Sequence, residues 1–109
     1  MKITGVNAYV VDPDYAAAGG TSERQWTFVE IETDEGITGW GEATNYPGGG
    51  SFLTAQAVHS CREVLIGEDP ADIERLWHRI YRRYSYLGAR GLPTSALSGI
   101  DIALWDIKG

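Results

Sequence analysis

One cysteine in 109 residues leaves no partner for an internal disulfide and no thiolate set for a zinc finger. Basic side chains are scarce as well: nine Lys and Arg against fifteen Asp and Glu give a net charge of -6. A nucleic-acid surface needs clustered cations. The one cluster here, Arg79, Arg82 and Arg83, is short and reads as a solvated helix face. No apolar run approaches membrane-spanning length. The opening MKITGVNAYVV is too short and too polar for a secretory signal peptide. Nucleic acid and membrane are therefore set aside as partners, and a reducing, cytoplasmic setting is expected.

What remains suits one domain. A chain of this length buries about 60–70 % of the surface it exposes when unfolded. Its 43 % apolar fraction, with four Trp, six Tyr and two Phe, can fill a core.

Residues 2–11 read as a strand, with Ile3, Tyr9 and Val11 on one face and Val6, Ala8 and Val10 on the other. Residues 12–25 break the pattern with Asp12-Pro13, three alanines and Gly19-Gly20, a long loop of the kind that often carries function. Residues 26–33 alternate cleanly, with Thr27, Val29 and Ile31 inside and Trp26, Phe28, Glu30 and Glu32 outside. Asp34, Glu35 and Gly36 turn the chain, and residues 37–43 return antiparallel. Gly39 and Gly41 within that strand mark a bulge or a close approach by other backbone. A second glycine-rich loop, 44–51, lacks the Gly-Lys-Ser/Thr of a phosphate-binding loop and reads as a flap.

Three helices follow. The first runs from Ser51 to about Ile66, with Leu53, Ala57, Val58, Cys61, Val64 and Leu65 as apolar positions, and Gly67 ends it. Asp69-Pro70 starts the second, whose stripe is Ile73, Leu76, Trp77, Ile80, Tyr81 and Tyr84. A third loop, 88–93, leads into a helix over 94–108, capped by Thr94 or Ser95. Leu97, Ile100, Leu104 and Ile107 make one stripe on it, while Ile102 and Trp105 lie opposite. A helix apolar nearly all round is buried on more than one side. It is either half of an interface with something larger or the centre of a self-sufficient small domain. Three strands followed by three helices give an α+β fold, a three-stranded antiparallel meander followed by three helices.

Side-chain chemistry is sparse. His59 and His78 fall in different helices and form no ligand pair, so both read as structural or surface residues. Cys61 reads as a small buried side chain. Glu30 and Glu32 fit a solvated sheet face, and Glu42 fits a role in bonding loop backbone. Asp101 and Lys108, seven apart on one helix face, read as an ion pair or caps. No catalytic residue and no metal-ligand set emerges.

Two segments carry a resemblance. Residues 96–109, ALSGIDIALWDIKG, look like the signature helix of the mandelate racemase and muconate lactonizing branch of the enolase superfamily, and residues 36–43, GITGWGEA, are similar to that family's third strand. The whole chain, 1–109, resembles the N-terminal capping domain. The resemblance implies a C-terminal (β/α) barrel beyond this chain. The barrel would supply the bases and the ligands of Mg2+, and it would abstract a proton α to a carboxylate. It implies an acid-sugar dehydratase, otherwise a racemase, epimerase or cycloisomerase, that is a homo-oligomer at full length and whose capping domain is inert alone. Loops 12–25 and 44–51 would close over the barrel mouth. Their side chains able to meet a carboxylate or acid-sugar substrate are Tyr15, Thr21, Arg24 and Tyr46, with Arg90 of the third loop a lesser candidate. The alternative is a stand-alone binding module that recruits a partner through an exposed apolar helix face.

Overall fold

A computed structural model describes residues 1–13, 17, 19–20, 25–43, 50–85 and 92–109. The described chain forms strands β1 (Ile3–Val11), β2 (Trp26–Thr33) and β3 (Thr38–Ala43). Helices α1 (Gly50–Ser60), α2 (Arg62–Leu65), α3 (Ile73–Arg83) and α4 (Leu92–Lys108) come after them. The sheet order is β1-β2-β3, antiparallel throughout. The expected α+β meander with helices on one face is what the chain adopts.

β2 keeps the expected alternation: Thr27, Val29 and Ile31 are buried. β1 departs from it. A bulge between Ile3 and Gly5 shifts the register, so Ile3 joins Val6 on the covered face instead of siding with Tyr9 and Val11. One extra residue reverses the side-chain parity of everything before it. The tight turn is as expected. Gly36 takes φ +76°, and the Thr33 N–H and Oγ1 both donate to the Ile37 carbonyl at 3.1 and 2.7 Å.

The expected first helix is split. Cys61 interrupts it, leaving α1 and the single turn of α2. Leu53, one of the apolar positions, is 63 % exposed, because the buried face of α1 is Ser51, Thr54, Ala55 and Val58. Gly67 closes α2 with φ +86°. Asp69-Pro70 does not begin α3. Asp69 Oδ1 accepts from the Ala71 N–H at 2.9 Å, which builds a side-chain turn one step earlier, and Asp72 becomes the N-cap. On α3 the core stripe narrows to Ile73, Leu76 and Ile80, with Trp77 and Tyr84 half-buried and Tyr81 exposed. α4 begins two residues earlier than expected, with Pro93, Thr94 and Ser95 inside its first turn, where proline is tolerated.

Both sheet edges are covered. On β1, Ile3 exchanges backbone bonds with Gly67 and Glu68, Arg62 Nε donates to the Val6 carbonyl at 2.7 Å, and the Ala8 N–H donates to His59 Nε2 at 3.0 Å. On β3, the Trp40 N–H donates to Asp106 Oδ2 at 2.8 Å. Open strand edges invite pairing with other chains, and these side chains occupy them.

β3 and α4 approach backbone to backbone. A Cβ on Gly41 would overlap the Gly99 carbonyl, and one on Gly39 would overlap the Ala103 carbonyl. A Cβ on Gly99 would come within 2.8 Å of Val29 Cγ2. The strand glycines therefore mark close approach, the second of the two readings of them.

Candidate functional site

Tyr15, Thr21, Arg24, Tyr46 and Arg90 all lie outside the described residues. Their anchor points do not. Val11 pairs with Trp26, and Thr27 pairs with Ala43. The segments between β1 and β2 and between β3 and α1 therefore leave the sheet at one end. α4 runs antiparallel to β3, since Gly99 lies against Ala43 and Ala103 against Gly39. Its N-terminus, and with it the entry from the third segment, faces the same end. The topology thus brings both ends of the first expected loop, the start of the second and the end of the third to one rim of the sheet.

That rim is polar underneath. Gln25 is 1 % exposed and its Nε2 donates to Asp12 Oδ2 at 3.2 Å, tying together the two ends of the first segment. Gln25 Oε1 and Thr27 Oγ1 are buried without a hydrogen-bond partner among the described residues. Thr54 Oγ1 donates back to the Gly50 carbonyl at 3.1 Å. Glu42 lies exposed on the outer sheet face opposite Phe28. The loop backbone it was expected to bond lies outside the described residues.

Elsewhere the titratable groups hold structure. His59 accepts the Ala8 N–H, which requires the neutral ring. Partial burial and the nearby Arg62 guanidinium keep its pKa below the usual imidazole value. Cys61 is fully buried and desolvation pushes its thiol pKa up, the opposite of a nucleophile. Glu30 and Glu32 stand on the outer sheet face as expected, with Glu30 accepting from Tyr9 Oη at 2.9 Å and Asn7 Nδ2 at 3.2 Å. The Arg79 and Arg83 guanidiniums are paired with Glu68 and Glu63 at 2.7 and 2.6 Å. Asp101 and Lys108 do not pair. Lys108 Nζ lies 4.9 Å from the centroid of the Trp105 ring, and burial raises the Asp101 pKa.

The outer face of α4 is open. Leu97, Ile100 and Leu104 are in the core, while Ile102 and Trp105 are 47 % and 51 % exposed. Beside Trp105, a groove of about 340 Å³ between α3 and α4 is lined by Ile73, Glu74, Trp77, His78, Asp101 and Trp105. Reading each helix singly misses this group. The spacing does contain it, since Asp101 and Trp105 are one turn apart, as are Glu74, Trp77 and His78. Among the described residues, no three His, Cys, Asp or Glu side chains come together in a way that could hold a metal ion. No helix among them is long and apolar enough to cross a membrane.

Comparison with known proteins places this geometry. The family model for the mandelate racemase / muconate lactonizing enzyme N-terminal domain matches residues 1–109. A D-galactonate dehydratase of Variovorax paradoxus is 47 % identical over 109 residues, which is all of this chain and 25 % of the relative. The 3,6-anhydro-D-galactonate cycloisomerase of Zobellia galactanivorans superposes with a TM-score of 0.82 at 28 % identity, covering 99 % of this chain and 28 % of that one. A member of the enolase superfamily from Polaromonas superposes with a TM-score of 0.77 at 33 % identity, covering 99 % and 30 %. The chain thus spans about a quarter of the curated relative's length. With its family model matched from end to end, this chain belongs to the N-terminal domain family of the mandelate racemase and muconate lactonizing enzymes, within the enolase superfamily.

Proposed function

We propose that this domain caps the active site of an enzyme that dehydrates an acid sugar of the galactonate class. The observation that carries the proposal is the 47 % identity with a D-galactonate dehydratase over all 109 residues. The rim geometry supports it, because two chain segments leave the sheet at one end and a third enters α4 there, where loops able to cover a barrel mouth have to start. In this reading a second, barrel domain supplies the base and the Mg2+ ligands. The described residues here do not fit a metal, so no step is assigned to the ion in this chain. The cap contributes exclusion of water and contacts to the distal part of the substrate, with Tyr15, Thr21, Arg24 and Tyr46 as the proposed contacts. A cytoplasmic setting and homo-oligomeric assembly belong to the same proposal.

The second domain is proposed to cover the outer face of α4, where Ile102 and Trp105 stand exposed. A polypeptide carrying this domain followed by the barrel should release a 2-keto acid from D-galactonate when Mg2+ is present. The 109 residues alone should neither do so nor exchange the α-proton of the substrate with deuterium oxide. Turnover by the 109-residue chain would overturn the capping role. A barrel-bearing polypeptide inert toward D-galactonate but active on another sugar acid would move the substrate and leave the role standing.

A further inference from the structure

The groove between α3 and α4 has a composition that selects for one chemistry. Its polar groups are Glu74, His78 and Asp101, and its apolar walls include the indoles of Trp77 and Trp105. Among the described residues, no Lys or Arg lines it. Carboxylates beside indole rings favour a planar cation, which can bond the former and stack on the latter. The molecule already uses the Trp105 ring in this way, with Lys108 Nζ 4.9 Å from its centroid. Two cations adjoin the groove. Lys108 is that one, and Arg75 is engaged by Glu68 and Asp72 at 2.7 and 3.0 Å. At about 340 Å³ the groove sits at the small end of ligand-binding cavities and suits one side chain better than a whole metabolite.

We propose that this groove is a guanidinium site that receives an arginine side chain of the second domain, with Asp101 and Glu74 as its counter-charges and Trp105 as its stacking surface. The occupant rests on the two-domain reading above; the guanidinium chemistry rests on the groove itself. Asp101 has no hydrogen-bond or ion-pair partner among the described residues, and its partial burial favours the protonated form. A guanidinium entering the groove reverses that, since a nearby opposite charge favours the carboxylate.

The test is a nuclear magnetic resonance titration of the 109-residue chain with N-acetyl-argininamide, read on the indole N–H signals of Trp77 and Trp105. N-acetyl-glutaminamide is the neutral control. The expected result is a saturable shift of both signals with the arginine probe alone, and at least tenfold weaker binding in Asp101→Asn. Circular dichroism establishes that the variant is folded. Should it not fold, Glu74→Gln, at an exposed position, carries the same comparison. Equal responses to the two probes, or an unchanged affinity in the variant, would overturn the site. A silent titration in a chain whose α4 face still binds the barrel domain removes the guanidinium site alone. Saturable binding in a chain whose Trp105 proves to be core removes the proposed occupant alone.

Discussion

The backbone N–H of Trp40 donates to the carboxylate of Asp106 at 2.8 Å, joining the outer edge of β3 to the last turns of α4. The two residues belong to the two segments that carry the family resemblance, GITGWGEA and ALSGIDIALWDIKG. Those segments are one physical object, a strand and a helix in backbone contact. Asp106 holds the edge, and Gly39, Gly41 and Gly99 permit the approach. Asp106→Ala should leave the Trp40 N–H to water and cost about 1 kcal/mol, the usual net worth of a hydrogen bond. Urea melts of the two proteins measure it. No loss would mean that the bond has no energetic role.

Gly41→Ala tests the approach itself. The added methyl meets the Gly99 carbonyl and the Ala103 nitrogen, both backbone, so no side chain can rotate away. The helix must shift, at a cost of about 3 kcal/mol, the upper part of the usual overpacking range. A change below about 1 kcal/mol on the same urea curve would show that α4 floats on the sheet and that the glycines are incidental.

Much of this architecture is legible in the sequence, and each departure has a physical cause. β2 showed its faces because strict alternation is a local property, and the helix stripes showed because 3.6-residue spacing is too. The β1 bulge was invisible, because two residues opposing one is a property of the pair of strands. Leu53 is apolar yet exposed, because α1 turns Ser51 and Thr54 inward, which the apolar pattern does not show. Asp69-Pro70 carries a good helix-start signal, but Asp69 spends its carboxylate on the Ala71 N–H. Gly39 and Gly41 mark a bulge or a close approach in the sequence; the fold alone supplies Gly99 and Ala103 as their neighbours. The expected substrate contacts, Tyr15, Thr21, Arg24 and Tyr46, fall outside the described residues. The groove group escaped because Trp77 and Asp101 are brought together by the packing of two helices.

His59 makes stability depend on pH. Its folded pKa lies below that of a free imidazole, so as pH drops below about 6.5 the unfolded chain takes up the proton first. The His59 contribution is therefore complete above that value and falls as pH drops towards the folded pKa. Protonation also removes the lone pair that accepts the Ala8 N–H. Glu68 acts in a separate, more acidic window. Arg75 and Arg79 hold its pKa below the usual carboxylate value, so its contribution is lost as pH falls through that lowered value. Thermal melts between pH 7.5 and pH 5 should show stability declining towards acid, and His59→Gln should flatten that slope. An unchanged slope in the variant would assign the decline to other groups.

Trp105 and its neighbour Leu104 together decide whether α4 is half of an interface. Leu104 is 1 % exposed and Trp105 is 51 % exposed, although they are neighbours in sequence, about 100° apart around the helix. Leu104→Ala should cost about 2–5 kcal/mol, as core truncations do. Trp105→Gln should cost under about 1 kcal/mol, as surface changes do, and it should raise the solubility of the free chain by removing exposed apolar surface. Denaturant melts of the three proteins, run beside sedimentation of the parent, are the most direct measurement. A small Trp105 effect with a self-associating parent is the predicted result. A loss of about 3–5 kcal/mol in Trp105→Gln, in a parent that is monomeric, would contradict it and make this chain a self-sufficient domain with α4 at its core.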